Sequence, residues 1–150
     1  MAHCRGIRGA TTAHANTREE MLRATGELLE RMVARNGVAV EDIASVMFTV
    51  TEDLDAAYPA LAARQLGWID TALICAREIP VPDERVRRCI RVLMLVNTER
   101  TAAQMRHVYL HEAVALRPDR EDGRGLTAEG TAHEERAESG EKSEELAESE

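Results

Sequence analysis

The eight residues from Cys89 to Val96, CIRVLMLV, form a run of β-branched and aliphatic side chains bounded by Asn97 and Thr98. A run of this length and composition predicts a buried strand. Arg91 interrupts it. Strand side chains alternate, so Arg91 shares a face with Cys89, Leu93 and Leu95. A guanidinium cannot shed its proton, and burying one without an anion costs several kcal/mol. The run therefore predicts a negative partner for Arg91. Either a structural carboxylate elsewhere in the fold supplies it or an anionic ligand does, and the run by itself leaves both open.

The remaining chain supplies the context for that strand. Its 150 residues suit one domain with a modest core, and with aromatics at 3% the packing must be aliphatic. The net charge of −8 lies at one end: residues 1–118 hold 15 acidic and 15 basic side chains, residues 119–150 hold 12 and 4. Every basic residue before the tail is arginine, a planar fork suited to carboxylates. A neutral domain without aromatic platforms argues against nucleic acid as a partner, despite the cluster Arg85, Arg87 and Arg88. Cys4, Cys75 and Cys89 fit neither a zinc site nor a disulfide framework, and the five histidines show no ligand-like grouping. Reduced thiols and no metal are expected. The start MAHCRGIRGATT lacks the apolar core of a signal peptide, and no stretch approaches a membrane span. A soluble, cytoplasmic protein without a membrane partner follows.

Along the chain, RGIRGATT within residues 3–12 predicts a first strand whose glycines let the backbone approach a neighbour closely. Arg5 and Arg8 would face opposite sides of it. Thr17 and Glu20 read as a capping box opening a helix, with a stripe of Met21, Leu22, Thr25, Leu28, Leu29, Met32 and Val33. Glu19 with Arg23 and Glu27 with Arg31 are spaced to pair on its wet side, and Asn36 and Gly37 end it. Ser45–Thr51 predicts a second strand with Val46, Phe48 and Val50 on one face and Met47, Thr49 and Thr51 on the other. Pro59 can open a short helix that stops at Gly67 and carries Arg64, read by itself as a surface charge. Trp68–Ile79 predicts a third strand closed by Pro80 and Pro82, with Glu78 at its end able to turn toward an edge cleft. Cys75 reads as a buried, inert thiol. Thr101 and Gln104 cap another short helix containing Met105 and Arg106, and HVYLHEAVALRP returns to strand-like character. From Asp119 onward the pattern collapses into Glu, Ala, Gly, Ser and Thr, which predicts an acidic, disordered tail over 119–150 after a folded domain of 1–118.

Taken together, RGIRGATT, the proline turn with AARQLGW, ICAREIPV, CIRVLMLVNT and RHVYLHEAVALRP resemble the AroH-class chorismate mutases over residues 3–118, in order and with spacing kept. The resemblance implies a mixed α/β (α+β) fold with a five-stranded sheet and helices. It also implies a homotrimer forming a pseudo-α/β-barrel, with active sites between subunits. The implied reaction is the Claisen rearrangement of chorismate to prephenate in aromatic amino acid biosynthesis, without a cofactor, metal or covalent intermediate.

Under that resemblance Arg91, Glu78 and Arg8 are the catalytic residues. Arg91 would donate to the ether oxygen as it gains negative charge, a contribution of roughly 3 kcal/mol by comparison with oxyanion holes. Glu78 would receive the substrate hydroxyl and help hold Arg91, with Cys75 near the same groups. Arg8 and Tyr109 would bind substrate oxygens, Tyr58 and Arg64 would close the cleft from the short-helix region, and Arg117 would reach in from the end of the domain. The chain departs from the family pattern at Ile74, where threonine is common, at Tyr58, which replaces phenylalanine, and in its longer acidic tail. The rival reading is a non-catalytic trimeric sensor of an aromatic-pathway metabolite, disfavoured because every polar site residue is present.

Overall fold

The structure, a computed structural model, describes residues 1–82 and 86–116. Arg85, Arg117 and the acidic tail lie outside the described residues. Five strands form one sheet: β1 (His3–Thr12), β2 (Ile43–Val50), β3 (Ala72–Arg77), β4 (Cys89–Thr98) and β5 (Val108–Tyr109), in the order β3-β2-β4-β1-β5. β4 is central and runs antiparallel to both β1 and β2, whereas β2/β3 and β1/β5 are parallel. The sheet is mixed, as expected for the fold class.

Both α-helices, α1 (Arg18–Asn36) and α2 (Ala60–Gln65), pack into the layer on one side of this sheet. The stripe of α1 buries Met21, Thr25, Leu28, Leu29 and Met32, and the core beneath it joins Ile7, Val46, Phe48, Val92, Met94 and Val96 with Ala63 and Trp68. Burying side chains of this size stabilises a fold by about 1.5–3 kcal/mol each. Helix and sheet approach closely at Gly9, because a Cβ there would run into Met32 and Leu28.

The ends of α1 follow from local chemistry. Thr17 accepts the Glu20 amide at 3.2 Å, and Gly37 closes the helix in the left-handed region at φ 58. The expected reciprocal bond is diverted: the Glu20 carboxylate accepts the amide of His14 instead, and it also holds Arg23. Arg23 therefore pairs with Glu20 and Glu27, not with Glu19.

Four further expectations are corrected. β3 begins at Ala72, because Trp68 turns into the core behind Gly67. The turn Ala102–Gln104 has the full capping box, but it is a 3-10 turn that ends before Met105 and Arg106. The strand-like segment near the end keeps only two strand residues; His111 adopts φ 52, and the chain turns into a 3-10 helix over His111–Leu116.

The fourth correction concerns Arg91, whose side chain is 46% exposed. The run on β4 is buried on one face only. Ile90, Val92, Met94 and Val96 point to the α-helices, while Arg91 and Leu93 point to the opposite sheet face, which neither α-helix covers and where the 3-10 helix His111–Leu116 packs only over Ala10 and Cys89. Met47 and Ile74 are exposed on that same open face, beside Leu93. No helix in the described residues is long and apolar enough to cross a membrane.

Candidate active site

Register places the site residues on the open face. One row across the sheet runs Tyr109, Ala10, Arg91, Thr49 and Ala76, since each stands opposite the next. The neighbouring row runs Arg8, Leu93, Met47 and Ile74. Arg8 and Ile74 thus sit on the same row but three strand spacings apart, about 14 Å.

Arg91 finds its anion in Glu78. Its Nε lies 3.6 Å from Glu78 Oε1, and the Glu78 side chain is 24% exposed. Glu78 stands just beyond β3, where its amide donates to the Val50 carbonyl at 2.9 Å. The same carboxylate oxygen receives the Thr49 hydroxyl at 2.6 Å. Both members of the pair line a cleft of about 870 Å³, walled by Ile79–Val81 and Val86–Arg88 and floored in part by Thr51 and Asp53. The Arg91 carboxylate partner is therefore neither remote nor sealed in the core, but shares an open cavity with it.

Beside the cleft, hydrogen bonds secure the start of β4. Asp53 accepts the Thr51 hydroxyl and the Arg88 amide, and Arg88 takes φ 46. Burial by itself would push the Asp53 carboxyl up, but these bonds outweigh it and hold the group below its ordinary value. The Arg88 guanidinium is tied to the Ala13 carbonyl, so this member of the predicted basic cluster is held in place. Burial pushes the Cys89 thiol up against the pull of Arg91, which keeps it a thiol next to the cation.

The other candidate residues are placed less centrally. Cys75 stands opposite Phe48 and packs against the core, on the face away from Glu78 and Arg91. Desolvation pushes its thiol up, in keeping with an inert group. Tyr58 is 77% exposed at the entry to α2, and Arg64 is exposed on α2, which packs in the helix layer. Within one chain they do not converge on Arg91. Thr49, Thr51 and Asp53 were not among the candidates. The signal for the first two was a pair of threonines at i and i+2, one near the end of β2 and one just past it.

The chorismate mutase type I family matches residues 4–120. That settles membership. The chain belongs to the type I chorismate mutase family. It is 53% identical over 118 residues to the chorismate mutase AroH of Thermus thermophilus, spanning 78% of this chain and 96% of that one. It is 44% identical over 116 residues to the chorismate mutase AroH of Bacillus subtilis (strain 168), spanning 77% and 91%. A solved chorismate mutase from Clostridium thermocellum superposes with a TM-score of 0.71 at 50% identity, covering 73% of this chain and 97% of that one. The chain is thus a chorismate mutase, an enzyme of aromatic amino acid biosynthesis, and the sensor reading is set aside.

Proposed function

We propose that this chorismate mutase rearranges chorismate to prephenate in clefts built around Arg91 and Glu78 and completed by neighbouring copies in a homotrimer. The single observation that carries this is the pairing of Arg91 with Glu78 in an open cleft on the sheet face away from the α-helices. An arginine placed only for stability has no need of a cavity.

In the rearrangement the ether C–O bond breaks as the new C–C bond forms within one molecule, and no net proton moves. Negative charge accumulates on the ether oxygen midway. Arg91, held by Glu78 through one carboxylate oxygen, keeps N–H groups free to donate to that oxygen. A donor fixed in advance costs no reorganisation when the charge appears, and excluding water strengthens it. The second oxygen of Glu78 accepts the substrate hydroxyl. Arg8 and Tyr109, on the β1–β5 side of the same face, bind substrate oxygens, including a carboxylate. The substrate is a dianion, which the arginines match, and holding it folded lowers the entropic part of the barrier.

The homotrimer accounts for two otherwise unexplained facts. Arg91 is half exposed in a single chain, and Met47, Ile74 and Leu93 form an apolar surface beside it. A neighbouring copy over this face would bury both, bring Tyr58 and Arg64 of one chain to the Arg91 of another, and place Ile74 at the rim. Cys75 then acts from behind the strand, as packing for β3. We read 1–118 as the catalytic domain and 119–150 as dispensable for turnover, in a cytoplasmic setting that suits three free cysteines.

Arg91→Ala tests the mechanism. It is expected to assemble normally in sedimentation while kcat for chorismate loss, followed by absorbance, falls by roughly two orders of magnitude or more and KM changes less. Arg91→Lys is expected to recover little, because one ammonium cannot reproduce the fork. Equal losses in kcat and substrate affinity would remove the transition-state role. Refolding Arg91→Ala chains together with Arg64→Ala chains tests the shared cleft. Activity should reappear in the mixture, since some sites then contain both native arginines.

A further inference from the structure

Resting on the assignment of Glu78 to the active site, we infer that Thr49 is a positioning residue that fixes which oxygen of Glu78 is left for the substrate. Thr49 stands opposite Arg91 across the β2–β4 ladder, on the open face. Its hydroxyl donates to Glu78 Oε1 at 2.6 Å, and Arg91 Nε approaches that same oxygen at 3.6 Å. The Glu78 main chain is pinned one residue along β2 from Thr49, by its amide bond to the Val50 carbonyl. The carboxylate is therefore held at two points, its backbone and one oxygen. Oε2 remains to accept a hydroxyl.

Without the Thr49 hydroxyl no hydrogen bond among the described residues holds the carboxylate against rotation toward the guanidinium. Arginine and carboxylate favour a fork of two parallel hydrogen bonds. That arrangement would engage both Glu78 oxygens and the N–H groups that Arg91 must keep for the reacting oxygen. Thr49 thus prevents the pair from satisfying itself. Threonine suits this task because branching at Cβ restricts its χ1 and holds the hydroxyl in place. Thr49 itself touches no reacting atom.

The test is a double-mutant cycle on the full chain, using chorismate as the probe. Thr49→Val keeps the shape and removes the hydroxyl; kcat is expected to fall about tenfold with KM changed less. Thr49→Ser, which restores the donor, should regain most of that loss. In an Glu78→Ala background, Thr49→Val should add no further loss. Native kcat in Thr49→Val, or the same fractional loss with and without Glu78, overturns the inference while leaving Glu78 in the site. Native turnover by Glu78→Ala alone overturns the assignment of Glu78 and this inference with it.

Discussion

Thr51 and Cys89 are bonded through both main chain and side chain. The Thr51 amide donates to the Cys89 carbonyl at 3.1 Å, and the Cys89 amide donates back to the Thr51 hydroxyl oxygen at 2.9 Å. The hydroxyl proton goes on to Asp53 at 2.5 Å. This clamp fixes the first residue of β4, two positions before Arg91, to the end of β2.

Removing the hydroxyl leaves the Cys89 amide and one Asp53 oxygen without their partner. Thr51→Val is expected to destabilise the fold by about 1–3 kcal/mol, read as a lower midpoint in urea, with Thr51→Ser close to native. An unchanged midpoint in Thr51→Val would mean that the ladder holds β4 without the clamp.

Asn36 joins the end of α1 to the approach to β5. Its amide nitrogen donates to the carbonyls of Met32 and Arg106, and its oxygen accepts the Arg106 amide at 2.8 Å. Asn36 is buried, so Asn36→Ala strands both backbone groups of Arg106 at a cost of about 2 kcal/mol. Asn36→Asp is not expected to rescue it, since it keeps the acceptor, loses the donors and adds a negative charge at the negative end of the helix. Urea unfolding of the two variants checks the order.

Acid should remove one contribution to stability in a defined window. Hydrogen bonding from Arg23 lowers the Glu20 carboxyl from 4.5 to about 2, helped by the His14 amide. A carboxyl depressed on folding stabilises above its unfolded pKa and loses that contribution as pH falls through its folded one. Native chain should therefore melt above Glu20→Gln at pH 7, with the difference closing between about pH 4.5 and 2. A difference that stays constant down to pH 2 would contradict the assignment.

The open sheet face gives a separate test of assembly. Leu93 is exposed in the single chain, so a charge there costs the fold little but must be buried if another copy covers the face. Leu93→Glu is expected to sediment as a monomer with native circular dichroism and to lose chorismate mutase activity. A fully assembled Leu93→Glu would place the subunit contacts elsewhere.

Much of the scaffold was legible because its signals are local. The bounds of β1, the capped start and glycine end of α1, the proline-led α2 and the box at Thr101 each depend on residues a few positions apart. Where prediction overran, a contact distant in sequence decided the outcome. Trp68 left its expected strand to fill the core beside Phe48 and Val92, and His111 turned away from β5 in the left-handed region, with its ring 2.7 Å from the Glu27 carboxylate. Glu20 gave its carboxylate to His14 and Arg23 because both were within reach.

The chain order of residues determined which side chains share a face with Arg91 and that its charge is permanent, since alternation and an unsheddable proton follow from the sequence alone; the burial expected to demand an anion was not met, because the side chain is 46% exposed. Only the tertiary structure decided that the anion is Glu78, that Thr49 shares its oxygen, and that the pair lies on a face the two α-helices do not cover. Periodicity can say which side chains point the same way. It carries no information about what is packed over them, because that depends on where the two helices cross the sheet and on which face they leave open.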